Sequence, residues 1–411
     1  MEREDRQPRT RRSELIVFLQ SHATQFDDPL FRTLSTGGAL ELRVCYTRPD
    51  GDRPIFDGEL GRSVGWNLEA EKGYSYEILP RKWFDRFISI RALLRAAPDL
   101  LVISGYDSVL AVGCAVLAKL MGVSTGLRSD NISLYRKQGP LRRFTKRAIL
   151  QVLYRLLYDV GFPVGTLARD FMKNHGFPEG RLFVLPYSID GAWFTREVAR
   201  CQDDRDQLRS RLGLRKGDLA VLGVAKFVER EDPLTILKAY EIVAQKRSNV
   251  ALVLAGEGRL RPQIEQFIRA HRIEGVSMPG YVEYSRLPAL YAACDVFVHA
   301  ARRESWGVSV NEAMASGLAV IVADTVGSAW DLITNGSTGF TFCAGNCEEL
   351  ARRLIQLVDK PEVRIRMGAQ GQERVLKSWS LDAAQAAIMS ALGHLEKGVA
   401  PPGRGSPVTG V

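Results

Sequence analysis

The stretch His299–Ala323, HAARRESWGVSVNEAMASGLAVIVA, decides the fold, because it lays out a loop, a helix and a strand in immediate succession. The run Val308–Ser316 has a helical pattern and stops at Gly317, the residue type that most often ends a helix. The apolar run Leu318–Ala323 has the length and composition of a buried strand. Alternation of this kind predicts an α/β architecture.

Two glutamates flank the start of this helix, Glu304 in the loop and Glu312 eight positions later in the early turns. Gly307, just before the helix, lets a ligand approach backbone N–H groups, which together with the helix dipole favour phosphate. A carboxylate at the same end accepts hydrogen bonds from sugar hydroxyls but not from phosphate. The combination indicates a ligand that carries both a sugar and a phosphate.

A simpler interpretation of these residues stays open at this point. The run from Ser309 to Glu312 also fits a capping box, in which the glutamate side chain returns to a backbone N–H. Glu304 would then be a solvated loop charge. The stretch alone supports the two interpretations about equally.

The size and composition of the chain are those of a soluble protein with two domains. Its 411 residues suffice for two sizeable cores, and 45% hydrophobic with 25% charged residues is typical of globular proteins. Apolar runs fall short of the roughly 18 to 20 residues that span a membrane. Met1–Arg12 is charged and lacks the apolar core of a secretory signal. We therefore expect a cytoplasmic protein, which can be peripheral at the inner face of the membrane.

The net charge of +9 calls for an anionic partner. Nucleic acid, an acidic membrane surface and a nucleotide-linked substrate all qualify, but zinc-finger and RNP-type motifs are missing, which argues against nucleic acid. The basic run Arg136–Arg155 predicts an amphipathic helix, which either lies on an anionic membrane or packs on the core with a solvated basic face. The six cysteines lack metal-site spacing, and we expect no metal and no cofactor.

Strand and helix patterns alternate on both sides of a highly charged stretch, which predicts two Rossmann-like β/α/β domains that face each other across a cleft. A long Gly- and Asp-rich excursion, Arg48–Tyr76 with Trp66, can shape a substrate pocket. The expected division is a first, acceptor-binding domain at 13–195, a charged connector at 196–217, a second, donor-binding domain at 218–376, a helix at 377–397 that can cross back to the first domain, and a disordered tail at 398–411.

Charged and small residues follow the predicted strands of the second half. Lys226 and Arg230 come after its first strand, and two cations on one loop suit a diphosphate. A glycine after a strand is by itself most often a plain turn. Because parallel strands end at one edge of a sheet, the shared position of these residues with Glu304 and Glu312 indicates one ligand site. The small-residue strand ends are Gly256-Glu257-Gly258 and Gly280-Tyr281-Val282.

Taken together, residues 219–345 resemble the donor domain of retaining glycosyltransferases of family 4, which have the GT-B fold. The resemblance rests on the Glu-x7-Glu spacing, the glycine between the two glutamates and the Glu-Ala-Met-Ala-x-Gly run. It implies a nucleoside-diphosphate sugar as donor, and a polysaccharide, oligosaccharide or lipid-linked molecule as acceptor. It also implies transfer with retention and without a metal.

The resemblance assigns a role to each candidate residue. Lys226 and Arg230 contact the diphosphate, Glu312 contacts the ribose, and Glu304 contacts a hydroxyl of the transferred sugar; the catalytic set is Glu304, Lys226 and Arg230. The other donor-binding positions are Gly256, Glu257, Gly258, Gly280, Tyr281, Val282, Trp306, Gly307 and Val308. The acceptor side is expected at Gln25, Asp27, Tyr106, Arg128 and Asp130.

Three positions depart from the family pattern. The usual glycine-arginine pair is Ala225-Lys226, the usual lysine five residues on is Glu231, and the first-domain histidine has no counterpart within 126–133. A carboxylate about 4 Å from a phosphate is repelled by roughly 4 kcal/mol at an effective dielectric near 20. Either Arg230 takes over the lysine's role and Glu231 points away, or phosphate binding is compromised. The second case leaves a catalytically degenerate nucleotide-sugar-binding or scaffold protein as the alternative function.

Overall fold

The computed structural model describes residues 13–398 apart from 37, 39, 48–54, 61, 65–72, 81, 107 and 134–138. Four features of the sequence analysis fall wholly or partly outside the described residues. They are the charged N-terminus, much of the excursion 48–76 including Trp66, the first three residues of the basic run 136–155, and the tail from 399 onward.

The first half of the chain forms a six-stranded parallel sheet with helices on both faces. Its two central strands, Glu14–Gln20 and Leu100–Ser104, are short apolar runs, as expected where helices cover both faces of a parallel sheet. The elements are β1 (Glu14–Gln20), α1 (Asp28–Thr36), β2 (Leu40–Tyr46), β3 (Ile55–Asp57), β4 (Arg62–Val64), β5 (Ser75–Ile78), α2 (Trp83–Arg95), β6 (Leu100–Ser104), α3 (Val109–Leu120), β7 (Thr125–Ser129), α4 (Pro140–Leu157), β8 (Val160–Pro163) and α5 (Thr166–Asn174). The strand order is β5-β2-β1-β6-β7-β8, and β3 and β4 pair as a separate antiparallel hairpin.

The second half repeats this plan, with the strand order β11-β10-β9-β12-β13-β14. The prediction of two Rossmann-like domains is confirmed. The elements are α6 (Gly191–Arg200), α7 (Arg205–Arg211), β9 (Leu219–Val224), α8 (Pro233–Ala244), β10 (Val250–Ala255), α9 (Arg261–His271), β11 (Val276–Gly280), α10 (Leu287–Ala293), β12 (Val296–His299), α11 (Val308–Ala315), β13 (Ala319–Ala323), α12 (Ala329–Leu332), β14 (Phe340–Phe342), α13 (Cys347–Asp359) and α14 (Pro361–Ser378).

Residues 196–217 hold the end of α6 and the whole of α7, and both helices pack on the second domain. Phe194 of α6 lies in the core of that domain. Arg205 and Arg209 of α7 donate hydrogen bonds to carbonyl groups of α10 at 2.9 and 2.8 Å. The polypeptide has therefore entered the second domain by residue 191.

The last helix, α15 (Leu381–Gly398), returns to the first domain. Ala384, Ile388 and Leu392 recur every four residues, so they lie on one face of the helix, and they share a hydrophobic core with Phe31 of α1. No helix in the described part of the chain combines the length and apolarity that crossing a bilayer requires.

Candidate functional site

The start of α11 places the two glutamates of the sequence analysis. Gly307 precedes the helix with a φ of +90°, and Gly317 follows its end with a φ of +82°, conformations that favour glycine. The side chain of Glu312 is buried and does not fold back onto the helix: its Oε2 accepts a hydrogen bond from the Tyr291 hydroxyl at 2.9 Å. The capping-box interpretation is therefore wrong.

Glu312 keeps one acceptor available. Its Oε1 is buried without a hydrogen-bond partner among the described residues, although buried polar atoms are nearly always paired. Burial raises the pKa of the Glu312 carboxyl to about 7. The residue lines a cavity of about 220 Å³, so a ligand hydroxyl in that cavity could satisfy Oε1.

The same cavity gathers residues from both domains. Four candidate donor-site residues, Lys226, Gly256, Tyr281 and Val282, line it from the second domain, and Gln25, a candidate on the acceptor side, lines it from the first. Several further lining residues were not among the candidates from the sequence; they are Asp57, Leu60, Tyr284, Leu287 and Ser309.

The glycines after β10 hold the loop that carries Lys226. A Cβ on Gly256 would lie 1.8 Å from the Ala225 carbonyl oxygen, and one on Gly258 would lie 2.6 Å from that of Phe227. The Phe227 N–H donates to the Glu257 carbonyl at 2.7 Å. These glycines therefore let the two loops after β9 and β10 pack together, which fixes the position of Lys226.

The two predicted phosphate-binding cations contact carboxylates of the first domain. Lys226 donates to Asp57 at 2.6 Å and to Glu59 at 3.1 Å. Arg230 donates to both oxygens of Glu59, at 3.0 and 2.9 Å, and to Glu304 at 3.2 Å. The hydrogen bonds from Arg230 are the main reason that the pKa of Glu59 falls to about 2. The β3–β4 hairpin thus places two acids where the sequence analysis places a diphosphate.

Glu304 contacts Arg230, which also contacts the hairpin, and does not lie in bulk solvent. Its side chain is 22% exposed, and burial raises the pKa of its carboxyl although Arg230 opposes the shift. The Trp306 backbone N–H also interacts with this carboxylate. The simple solvated-charge interpretation therefore does not describe Glu304.

Glu231 also faces the site. It lines the cavity together with Lys226, and Arg230 contacts its carboxylate at 3.0 Å. Burial raises the pKa of Glu231 to about 7. Glu231 therefore does not point away from the cavity, and its carboxyl holds a proton more readily than that of an ordinary glutamate.

The remaining predicted donor positions support the site through packing. Trp306 is buried at the domain contact: its Nε1 donates to Asn311 at 3.0 Å and its ring packs against Gly165. Val308 packs on the core of the second domain. A Cβ on Gly280 would lie 2.9 Å from the Glu257 carboxylate, which pairs with α9.

The predicted acceptor residues fall into two groups. Asp27 and Arg128 form a buried ion pair with each other. Tyr106 packs edge-on against Tyr154 of α4, with ring centroids 6.2 Å apart. Asp130 instead reaches the domain contact, where it accepts from the Ser305 hydroxyl at 3.0 Å, and it lines a second cavity of about 790 Å³.

The second half of the chain is similar in sequence to known glycosyltransferases. Residues 204–374 match the family Glycosyl transferases group 1. This group 1 segment contains Lys226, Arg230, Glu304 and Glu312.

Two relatives illustrate the similarity to known glycosyltransferases. A GDP-mannose-dependent monoacylated alpha-(1-6)-phosphatidylinositol monomannoside mannosyltransferase of Corynebacterium glutamicum is 29% identical over 48% of this chain and 52% of its own length. The alpha-D-kanosaminyltransferase of Streptomyces kanamyceticus is 26% identical over 53% and 55%. The matched part of the chain thus spans about half the length of these relatives.

Solved structures resemble the whole chain. Anabaena HepE in complex with UDP has a TM-score of 0.70 at 15% identity and covers 93% of this chain and 100% of its own. A glycosyltransferase from Rickettsia africae has a TM-score of 0.74 at 11% identity, covering 94% and 100%. At these identities the likeness shows the fold alone, and the predicted GT-B fold is confirmed.

Proposed function

We propose that this protein is a retaining glycosyltransferase that moves a sugar from a nucleoside-diphosphate sugar to a saccharide or lipid-linked acceptor. The observation that carries the proposal is Glu312, whose Oε1 is buried without a partner among the described residues and which lines the same cavity as Lys226. The ribose of a nucleotide sugar has hydroxyl groups that can donate a hydrogen bond to Glu312. The diphosphate of the same ligand carries the negative charge that suits Lys226 and Arg230.

The relatives support the same donor and acceptor classes. The Corynebacterium glutamicum relative is named for a GDP-mannose donor and a phosphatidylinositol mannoside acceptor. A relative from Streptococcus pneumoniae, 29% identical over 40% of this chain, is named alpha-monoglucosyldiacylglycerol synthase. Both names describe the transfer of a sugar to a lipid.

The cations act on the leaving group. As the glycosidic bond breaks, the diphosphate gains negative charge, and Lys226, Arg230 and the backbone N–H groups at the start of α11 stabilise it. Glu304 holds a hydroxyl of the transferred sugar. The departing phosphate takes the acceptor proton on the same face of the sugar, which retains the anomeric configuration and requires no metal in this proposal.

The proposal is tested by donor binding and transfer. Calorimetry with UDP-glucose and GDP-mannose, followed by transfer assays with labelled donors, should identify a donor that binds and reacts. Glu312→Ala should weaken its binding by about 1.5–3 kcal/mol, as for a hydrogen bond to a charged group. The control Glu274→Ala changes an exposed carboxylate distant from the cavity. Equal affinities of wild type and Glu312→Ala would remove Glu312 from the site.

A second candidate is a nucleotide-sugar-binding or scaffold protein without turnover. Two observations favour it. Glu231 lines the cavity, and Asp57 and Glu59 form ion pairs with Lys226 and Arg230. Tight nucleotide-sugar binding without transfer and without slow donor hydrolysis would support it. Hydrolysis needs only water, so this readout does not depend on finding the acceptor.

The basic helix supports contact with an anionic membrane as a further part of the proposal. Leu150 and Tyr154 of α4 pack inward, whereas a row of large apolar side chains faces outward. A helix that only packed on the core with a solvated basic face would not expose such a row. The outward side chains are Leu141, Phe144, Ile149, Val152 and Leu156, each 56–76% exposed.

A further inference from the structure

The cavity of about 790 Å³ lies between the first domain and the loop that carries Glu304. Arg303 and Ser305, which flank Glu304 in the sequence, form its wall on the second domain. Its wall on the first domain comes from Asp130, from α4 and from α5. The cavity is therefore next to the proposed sugar-transfer site. It is separate from the donor cavity, which is the cavity of about 220 Å³ lined by Lys226 and Glu312, and the two share no lining residue.

The wall of this cavity is strongly basic. Arg143, Lys146 and Arg147 line it from α4, and Arg303 lines it from the second domain. Among the described lining residues the one carboxylate is Asp130, which already accepts from Ser305 at 3.0 Å and from Tyr187 at 3.3 Å. Four positively charged side chains therefore surround one carboxylate that is already hydrogen-bonded. Together they create a positive potential that favours an anionic ligand.

His175 lies on the α5 side of this cavity, close to the basic residues of α4. Its ring stacks on Phe171 with centroids 4.1 Å apart, and the same phenylalanine lies 4.7 Å beneath the Lys146 ammonium. Burial is the largest cause that lowers the pKa of His175, and the charges of Lys146 and Arg147 lower it further. Lys146 of α4 and the stacked pair Phe171 and His175 of the α5 side therefore meet at this cavity.

We propose that this cavity binds a phosphate group of the acceptor, an inference that rests on the proposed function. Guanidinium groups bind phosphate through paired hydrogen bonds, and Arg143, Arg147 and Arg303 supply three of them. The volume lies within the roughly 300–1,000 Å³ of small-molecule sites, which suits a phosphorylated sugar or a phospholipid headgroup. With the phosphate on the basic wall, an acceptor hydroxyl reaches the Asp130 side, next to Glu304.

The test uses the full chain and two phosphorylated probes. Mannose 6-phosphate represents a free sugar phosphate, and a water-soluble short-chain phosphatidylinositol represents a lipid headgroup. Mannose is the unphosphorylated counterpart of the first, and short-chain diacylglycerol together with free inositol supplies the unphosphorylated parts of the second. Calorimetry should detect binding of at least one phosphorylated probe and none of its counterpart. The probe that binds distinguishes a soluble from a lipid acceptor.

Matched variants distinguish binding in this cavity from unspecific attraction to the basic surface of the protein. Arg147→Gln and Arg303→Gln should each weaken the binding by about tenfold or more, whereas Arg142→Gln, on the same helix but outside the cavity, should not. Equal binding of phosphorylated and unphosphorylated probes, or an equal loss in Arg142→Gln, would overturn the proposal. Nucleotide-sugar binding on the same preparations should be unchanged by Arg147→Gln, and its absence from the wild type would instead count against the proposed function.

Discussion

Glu231 stands beside Lys226 in the donor cavity, and its pKa of about 7 makes donor binding sensitive to pH. A nucleoside-diphosphate sugar keeps its charge near neutrality, so an ionised Glu231 repels it and a protonated one does not. Glu231→Gln should therefore bind the donor about tenfold more tightly than wild type at about pH 8, and equally at about pH 6.

Calorimetry of both proteins at the two pH values measures this difference. Glu312 titrates in the same range, but it is present in both proteins and cancels in the comparison. Glu274→Gln, at an exposed carboxylate, should keep the wild-type affinities. A constant ratio between Glu231→Gln and wild type across the range would show that Glu231 does not face the diphosphate.

Glu312 makes the stability of the folded protein depend on pH. Burial raises its folded-state pKa to about 7, against 4.5 for an ordinary glutamate, so the native state holds the proton more tightly than the unfolded state. The stability from this proton is complete below about pH 4.5 and is lost as the pH rises through 7.

Glu312→Gln removes that loss, because glutamine stays neutral and can still accept from Tyr291. At about pH 8 its free energy of unfolding should exceed that of wild type by up to roughly 3 kcal/mol, and at about pH 5 the two should converge. Denaturant unfolding at both pH values measures this. A gain of equal size at both would mean that ionisation of Glu312 is not the cause.

At the scale of elements, the β3–β4 hairpin competes with the proposed donor. Asp57 and Glu59 occupy Lys226 and Arg230, so a diphosphate must displace them. Partly exposed ion pairs contribute about 0.2–1 kcal/mol each. The double variant Asp57→Asn, Glu59→Gln should therefore bind the nucleotide sugar several-fold more tightly.

Titration calorimetry of the double variant tests this competition. Glu229→Gln is a matched control, since Glu229 pairs with Arg259 at an exposed position outside the cavity. Weaker donor binding in the double variant would indicate that the two carboxylates position the cations instead of competing with the ligand.

The sequence predicted those helices and strands that a local pattern marks, such as a glycine at a helix end or a short apolar run. Gly317 ends α11 as expected, and apolar runs such as Glu14–Gln20 are strands. It did not predict α14, whose polar sequence contains Gly368 and Gly371, poor helix formers that are needed for close packing. A Cβ on Gly368 would lie 2.2 Å from the Gly317 carbonyl oxygen, a contact that only the tertiary structure reveals.

The site shows the same division between local and long-range information. The Glu304 and Glu312 pair could be found because its spacing is local. Tyr291, which binds Glu312, and Glu59, which binds Arg230 from 171 positions away, could not, because tertiary packing alone brings them together. The length and composition of the excursion 48–76 indicated a role in a pocket, without naming the residues.

The outward face of α4 predicts salt-sensitive membrane binding. Its apolar row can enter the headgroup region while neighbouring arginines contact anionic lipids. In liposome flotation, the protein should bind vesicles with phosphatidylglycerol and much less those of phosphatidylcholine alone. Phe144→Ser should reduce binding, whereas Ile365→Ser, an equally exposed change on α14, should not. Binding that is indifferent to lipid charge would contradict the prediction.

At the scale of the whole molecule, several contacts between described residues join the domains around the site. Thr166 at the start of α5 donates to the Asp331 carboxylate from its backbone at 3.0 Å and from its hydroxyl at 2.5 Å. Ser305 donates to Asp130, and the hairpin contacts Lys226. Both cavities are lined by residues of both domains, so their shape depends on these contacts.

Helix α15 links the two domains covalently and through its buried face, so its packing should contribute to the stability of the whole chain. Ile388 is completely buried against the first domain, whereas the adjacent Met389 is 37% exposed. Ile388→Ala should lower the free energy of unfolding by about 2–4 kcal/mol because it leaves a cavity, and Met389→Ala by much less. Denaturant unfolding followed by tryptophan fluorescence measures both. If the two variants lost equal stability, the buried face of α15 would not anchor the helix to the first domain. The core of that domain would then be stable without the packing of α15.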